Sequence, residues 1–371
     1  MTPRTRRATQ ADVARLAGVS QTTVSMVLTG TGTAQRRVSQ EVRERVLRAI
    51  EVTGYAANPF AQRLAGGRAS IVGVYTYESV FPHDASDFYH PFLEGVENEA
   101  ERTGVDLLMF TSMSGSSAAP GTGRPLLTSG GVGRLRVADG CVLLGRHSHQ
   151  EDLAELLRQD FPFAMVGRRE TPGGRVPYAG AAYDVATAEL VEHLLTLGHR
   201  RVALINEFVG HESIEDRARG YRRTMIRAGL QPVTFDEPDL TSGELLHALR
   251  SGGVTAAVVS SDLAAPLRRA ALAAGLTVPG DLSIARLGDP EHAEPEEIDW
   301  TGFLIPRREM GAEALRIVLR QLTPLEGDDD LQVQIPCTVV HGSTVAPYQQ
   351  PAGEPPAPHP SADRPAPSGK A

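Results

Sequence analysis

Cysteine is almost absent from this 371-residue chain, which holds only Cys141 and Cys337. Two thiols cannot staple a small fold, and each sits in an apolar, strand-like run (GCVLLG, IPCTVV) that favours a small buried hydrophobe, so both are expected to be reduced and structural. No apolar run reaches the ~18 residues of a membrane span, and the arginine-rich start MTPRTRRATQ lacks the apolar stretch of a secretory signal, so a cytoplasmic protein without a membrane partner is expected. GxSxG, GxxxxGK[ST] and HExxH are missing too, and with them the defining residues of serine hydrolases, P-loop phosphate sites and zincins. His147 and His149 lie near Cys141, but no acid or further histidine completes a ligand set at a metal-binding spacing. No catalytic residue, metal or cofactor is therefore expected.

Lysine is missing from residues 1–68, yet that segment is strongly basic. It carries eleven arginines against Asp12, Glu41, Glu44 and Glu51, a net charge of +7; the whole chain is at −8, which leaves −15 for the rest. Arginines that displace condensed counterions attach a protein to a nucleic-acid backbone, while an acidic body avoids indiscriminate attachment.

The basic segment contains DVARLAGVSQTTVS, Asp12 to Ser25. Thr9 is placed to cap a first helix ending near Ala17, Asp12 suits its positive end, and Gly18 supplies the φ > 0 of a tight turn. Ser20 then caps a second helix. Ala14, Gly18 and Val24 take the small, turn and apolar positions of two closely crossing helices, and Gln21, Thr22 and Ser25 are left on the outer face, as in a helix-turn-helix that enters a major groove. The spacing of Ala14, Gly18 and Val24 alone is equally compatible with an ordinary helical hairpin.

The flanks distinguish the two. From residue 12 to 68 the succession DVARLAGVSQTTVSMVL, VSQEVRERVLRAIEVTGY and NPFAQRLAGGR closely resembles the start of the LacI (lac repressor) family of bacterial transcriptional regulators. It combines the helix-turn-helix, a third helix with Val42, Val46, Ala49 and Ile50 on one face, and a segment at 58–65 similar to the family's hinge helix. Beyond it, short apolar runs alternate with amphipathic helices, the pattern of layered α/β folds. The phrases EHLLTLGHRRVALI and DRARGYRRTMIRAGL resemble the family core, itself similar to periplasmic sugar-binding proteins.

The implied architecture is a small all-α helix-turn-helix head (1–57) and a hinge helix and linker (58–69), followed by an α/β periplasmic-binding-protein-like core of two doubly wound subdomains (70–346). Subdomain 1 is expected at about 70–168 and 304–324, subdomain 2 at about 169–303 and 325–346. Residues 347–371, with eight prolines and few aliphatic side chains, read as a disordered tail. The Gly/Ser-rich 112–134 stretch reads as a loop or a shortened helix.

The resemblance also assigns residues. Gln21 and Thr22 match positions that reach base edges, and Thr9, Ser20 and Ser25 positions that touch phosphates. Met26 stands where the family usually has arginine, so the operator preference departs from the family pattern. Residues 58–65 are too few for a stable isolated helix, so the hinge is expected to order only on DNA, with Leu64 wedged into a minor-groove step and Ala61 facing that groove. For the effector cleft the resemblance implies Arg217 in DRARGY, with Ser261, Asp289, Tyr77, Phe88 and Arg146 as further lining. Ser261 replaces a usual asparagine and Gly288 a usual aspartate, which weakens a sugar site. The expectation is a homodimeric repressor that binds a near-palindromic double-stranded operator and senses a small-molecule effector, sugar-like or anionic. The alternative is an effector-insensitive or architectural DNA-binding protein with a degenerate cleft.

Overall fold

The computed structural model describes residues 8–29, 38–55, 71–77, 88–110, 132–146, 148–206, 212–235, 240–289, 297–324 and 330–349. They fall into two compact units divided after Ile71. The segment 58–65 read as a hinge, with Ala61 and Leu64, residues 30–37, most of the 112–134 stretch and the chain from 350 onward lie outside the described residues.

The described residues of the first unit form three helices, α1 (Gln10–Ala17), α2 (Gln21–Thr29) and α3 (Gln40–Thr53). Gly18 ends α1 in the left-handed region (φ 66°), and its peptide N–H donates back to the carbonyls of the last turn. A side chain there is strained by its backbone, so the turn that aims α2 depends on glycine. Val13, Ala14, Ala17, Val24, Val46 and Ala49 form the buried core, with Val42, Ile50 and Tyr55 packed on it.

The second unit holds two six-stranded sheets. Sheet 1 has the order β11-β5-β4-β3-β1-β2, from β1 (Ile71–Thr76), β2 (Asp106–Phe110), β3 (Gly140–Leu144), β4 (Phe163–Val166), β5 (Tyr178–Ala181) and β11 (Gln332–Ile335). Its helices are α4 (His90–Thr103), α5 (Gln150–Arg158) and α10 (Arg307–Leu322). Sheet 2 has the order β12-β10-β9-β8-β6-β7: β6 (Val202–Ile205), β7 (Val233–Phe235), β8 (Ala256–Ser260), β9 (Ser283–Leu287), β10 (Thr301–Leu304) and β12 (Thr338–Val340). Around it lie α6 (Tyr183–Thr196), α7 (Glu212–Arg227), α8 (Ser242–Ser251) and α9 (Ser261–Ala273). Most strand pairs are parallel, β10 with β12 being antiparallel. Parallel strands covered by helices on both faces explain the near-continuous burial of runs such as GCVLL and AAVVS.

Sheet membership corrects two expected crossings. The chain leaves sheet 1 after β5, at Ala182, and not near Arg168; it returns at Leu304 to Pro306; and it passes over again at Pro336 and Cys337, between β11 and β12, not near Pro324. Residues 169–181 and 330–335 thus belong with subdomain 1. The displacement has a local cause: β5 reads YAGA, with no β-branched residue to announce a strand. Cys337 therefore sits in a crossover, half-buried between two cores, rather than inside a strand. The assigned tail also starts too early. The Tyr348 peptide N–H donates to Leu197 O (2.9 Å), and its ring lies 5.9 Å from that of His199, so residues 347–349 belong to the folded body.

Two helix pairs meet backbone to backbone. A Cβ on Gly95 of α4 would lie 1.9 Å from Arg308 O, and one on Gly311 of α10 would lie 2.0 Å from Phe92 O. On α7, a Cβ on Gly220 would come within 2.2 Å of Asp184 O, so α6 and α7 cross as closely. That crossing sets the height at which α7 presents Asp216 and Arg217.

Candidate nucleic-acid face and ligand cleft

The outer face of α2 is organised locally. Ser20 Oγ accepts from Thr23 N (3.1 Å), which satisfies a first-turn amide. Val24 is fully buried, while Gln21 and Thr22 are exposed and Ser25 and Met26 partly exposed. Side chains that continue the helix from its N-terminal end are thus left toward solvent by the same periodicity that buries Val24. Thr9 is committed before any DNA arrives: its peptide N–H and hydroxyl both donate to Asp12 Oδ2 (2.9 and 2.6 Å). These two bonds, then the Arg15 guanidinium, draw the Asp12 carboxyl down to about 2. For Thr9 to donate to a phosphate it must release Asp12.

The two subdomains of the second unit enclose a cavity of about 110 Å³. Arg217, Ser261, Asp289, Phe88 and Arg146 all line it. They arrive from separate elements: Phe88 and Arg146 from subdomain 1, Arg217 from the second turn of α7, Ser261 from the first residue of α9, and Asp289 from the end of β9.

Tyr77 is the exception and a correction. It is fully buried, pairs with Leu144 O through its peptide N–H (2.8 Å), and turns its ring edge-on to Tyr75 (5.1 Å) and toward His149 (6.2 Å). Tyr75 and Tyr77 share one face of the strand by its period of two, so the tyrosine joins the interior beneath the cleft instead of its wall. Its hydroxyl has no hydrogen-bond partner among the described residues, and burial pushes its pKa well up.

Four arginines (146, 168, 169 and 217) and two aspartates (216 and 289) line the cavity. Both aspartates are already engaged. Asp289 Oδ2 accepts from Ile305 N (3.0 Å) and stands 3.4 Å from the Arg307 guanidinium, so it holds the return crossing. Asp216, 2% exposed, receives Arg168 through Nε (2.9 Å) and Nη2 (2.7 Å), and Arg219 at 2.6 Å. Arg169 is held by the carbonyls of Gly145 (2.7 Å) and Arg146 (3.1 Å).

Arg217 differs: its guanidinium lies over the Tyr183 ring at 4.2 Å, its Nε is buried, and that nitrogen has no hydrogen-bond partner among the described residues. Burial raises the Tyr183 hydroxyl, and Arg217 partly opposes that. Cys337 lies in the same field: burial raises its thiol to about 12, against the pull of Arg217. At that value it is a poor nucleophile near neutral pH.

Gly288 explains one departure in the sequence. Its φ is +107°, and a Cβ there would lie 2.9 Å from Ile305 and 3.5 Å from the Arg217 guanidinium. An aspartate at 288 would be strained by that φ and would have to push the Ile305 side chain aside. Sequence reasoning missed Arg168, Asp216 and Tyr183 as parts of the cleft, although Asp216 directly precedes Arg217 and Tyr183 follows the first crossover. No cluster of metal-ligating side chains occurs among the described residues, and no described helix is long and apolar enough to cross a membrane.

Residues 9–58 match the model of bacterial regulatory proteins of the lacI family, and residues 191–345 that of the periplasmic binding protein-like domain. Similar proteins include the HTH-type transcriptional regulator CelR of Thermobifida fusca, 29% identical over 86% of this chain and 93% of that protein. Catabolite control protein A of Priestia megaterium is 26% identical over 88% and 95%. Among solved structures, the lac repressor dimer bound to operator and the anti-inducer ONPF superimposes with a TM-score of 0.68 at 23% identity, over 92% of this chain and all of that one. A CelR–cellobiose complex gives 0.55 at 25% identity over 91% and 100%.

Proposed function

Because the chain belongs to the lacI family and is a DNA-binding transcriptional regulator with an effector-binding core, we propose that it acts as a repressor on a near-palindromic operator as a homodimer, and that its cleft takes an anionic ligand on Arg217. One recognition helix reads few base pairs, and two symmetric half-sites double the contacts. In this reading Gln21, Thr22 and Met26 meet base edges, Ser20 and Ser25 meet phosphates, and Thr9 does so once Asp12 yields its hydroxyl. Ala61 and Leu64 carry the minor-groove role on the strength of the sequence match alone.

The observation that carries the ligand assignment is the state of the charges. The CelR relative is known in complex with cellobiose, and a neutral sugar needs acceptors for its hydroxyls. Here Asp216 and Asp289 are already occupied by protein donors, whereas the Arg217 Nε–H finds no acceptor among the described residues. An unmet buried hydroxyl costs ~1 to 3 kcal/mol, and a charge-assisted bond from arginine contributes ~1.5 to 3. Both terms favour a carboxylate or phosphate over a polyol.

A thermal-shift series of organic acids, phosphorylated metabolites, cellobiose and monosaccharides tests this, with hits carried into operator binding. An anion is expected to stabilise the protein and to change operator affinity at least tenfold. Arg217→Ala is expected to lose that response while it binds operator within about twofold of wild type, one charge-assisted bond being enough for tenfold. Micromolar binding of a neutral sugar, undiminished in Arg217→Ala, overturns the assignment. The occupied aspartates also support a second reading, a constitutive regulator with a degenerate cleft; silence toward every ligand selects it.

A further inference from the structure

The segment that follows β4 in subdomain 1 reaches across the cleft to the first turns of α7 in subdomain 2. Arg168 places Nε and Nη2 on the two oxygens of Asp216 (2.9 and 2.7 Å), and its Nη2 also meets Glu212 O (3.3 Å). Two residues on, the Glu170 peptide N–H donates to Glu212 Oε1 (2.9 Å), and Arg169 stands 3.7 Å from the other Glu212 oxygen. Every one of these bonds joins residues 168–170 to residues 212–216, so each is broken if the subdomains part there.

The central pair has the geometry that makes arginine a strong partner for carboxylates, a planar fork on two oxygens. Both side chains are shielded, 15% and 2% exposed. Asp216 is held from its own helix as well, by Arg219, so it is aimed at Arg168 before the subdomains meet. Two further features support the segment from its own side: Arg169 ties it to the β3 loop through Gly145 O and Arg146 O, and Gly167 gives it a turn with φ of 92°.

We propose that residues 168–170 and the α7 start form an internal clasp that holds the cleft closed without ligand. The clasp itself is independent of what the cleft binds. Its consequence for regulation rests on the effector reading above: an effector enters a cleft already held shut and works against the clasp, in place of supplying the closure.

The test measures closure in the ligand-free, DNA-free full chain. Spin labels at Glu101→Cys on α4 and Ala273→Cys on α9, both exposed positions, report the separation of the subdomains in a Cys337→Ser background, Cys141 being buried. With the labelled chain diluted in an excess of unlabelled chain, so that only distances within one protomer are read, one narrow distance is expected for the otherwise native protein. Asp216→Ala is expected to broaden it and shift it by several ångström to longer values. Arg168→Met, which leaves α7 and its Arg219 pair intact, should do the same, and the double variant should open no further than either single one. A broad wild-type distribution overturns the clasp, as does one unchanged in Arg168→Met or an additive double variant. None of these readings involves a ligand, so failure of the clasp and failure of the anion assignment are seen separately.

Discussion

The outer face of α2 and the cleft are built on opposite principles. The α2 face consists of side chains within six positions of one another, capped by Ser20 and anchored by Val24. The cleft gathers residues from Phe88 to Asp289, and most of its charges are engaged by other protein groups. A surface made by one helix keeps its donors for an external partner, whereas a surface assembled from distant segments has already spent many of them on assembly. On the proposed reading, specificity on α2 is set by which side chain occupies a position, and in the cleft by which side chain remains uncommitted.

The contrast breaks most sharply at Val24. Val24→Asp buries a carboxylate with no cation among the head's core residues, at a cost of several kcal/mol, against a core of six small aliphatic residues. Operator binding is expected to disappear, while the thermal transition of the second unit and its ligand response persist. Loss of both transitions together in calorimetry would mean that the two units do not unfold independently.

Met26→Arg sharpens the comparison at intermediate cost. Arginine adds a bidentate partner for guanine, ~1 to 3 kcal/mol of base discrimination. Selection from random DNA is expected to return a consensus changed at one position in each half-site, with overall affinity of the same order. An identical consensus would remove position 26 from the reading surface.

The smallest expected effect lies in the second unit. His199 is buried between Thr255 Oγ1 (2.9 Å) and Ala346 O (3.0 Å), and burial lowers its pKa below the ordinary 6.5. The unfolded chain therefore binds the proton first as pH falls. Stability that is full above about 6.5 is lost progressively below it, toward the folded value. Melting temperature should decline over that window in wild type and less in His199→Gln; parallel declines would exclude His199 as the cause.

The same contrast explains what the sequence made legible. Spacing along one helix found Ala14, Gly18 and Val24, because their consequences fall within a turn or two of each residue. The longer apolar strands were equally plain. Strands of three or four residues such as YAGA, VTF and QVQI carry too little signal, and without β5 and β11 the crossings were misplaced. In the cleft, Arg217 was found through a local phrase. Arg168 was not, because its partner lies 48 positions away and only the tertiary fold places the two side by side.

Sheet 1 also has a history set by chain order. Five of its strands are complete at Ala181, but the outer edge of β5 receives β11 only when Gln332–Ile335 exists, and α10, which supplies Met310, Ala314, Leu315, Ile317 and Val318 to that core, comes shortly before. A ribosome adds about 5 to 20 residues per second, so the interval of some 150 residues lasts roughly eight to thirty seconds. For that time the nascent protein shows an open strand edge and an uncovered apolar layer, the surfaces that chaperones bind and that aggregation exploits. A stalled or truncated message ending between β5 and α10 leaves both permanently open, and one ending between α10 and β11 leaves the strand edge alone.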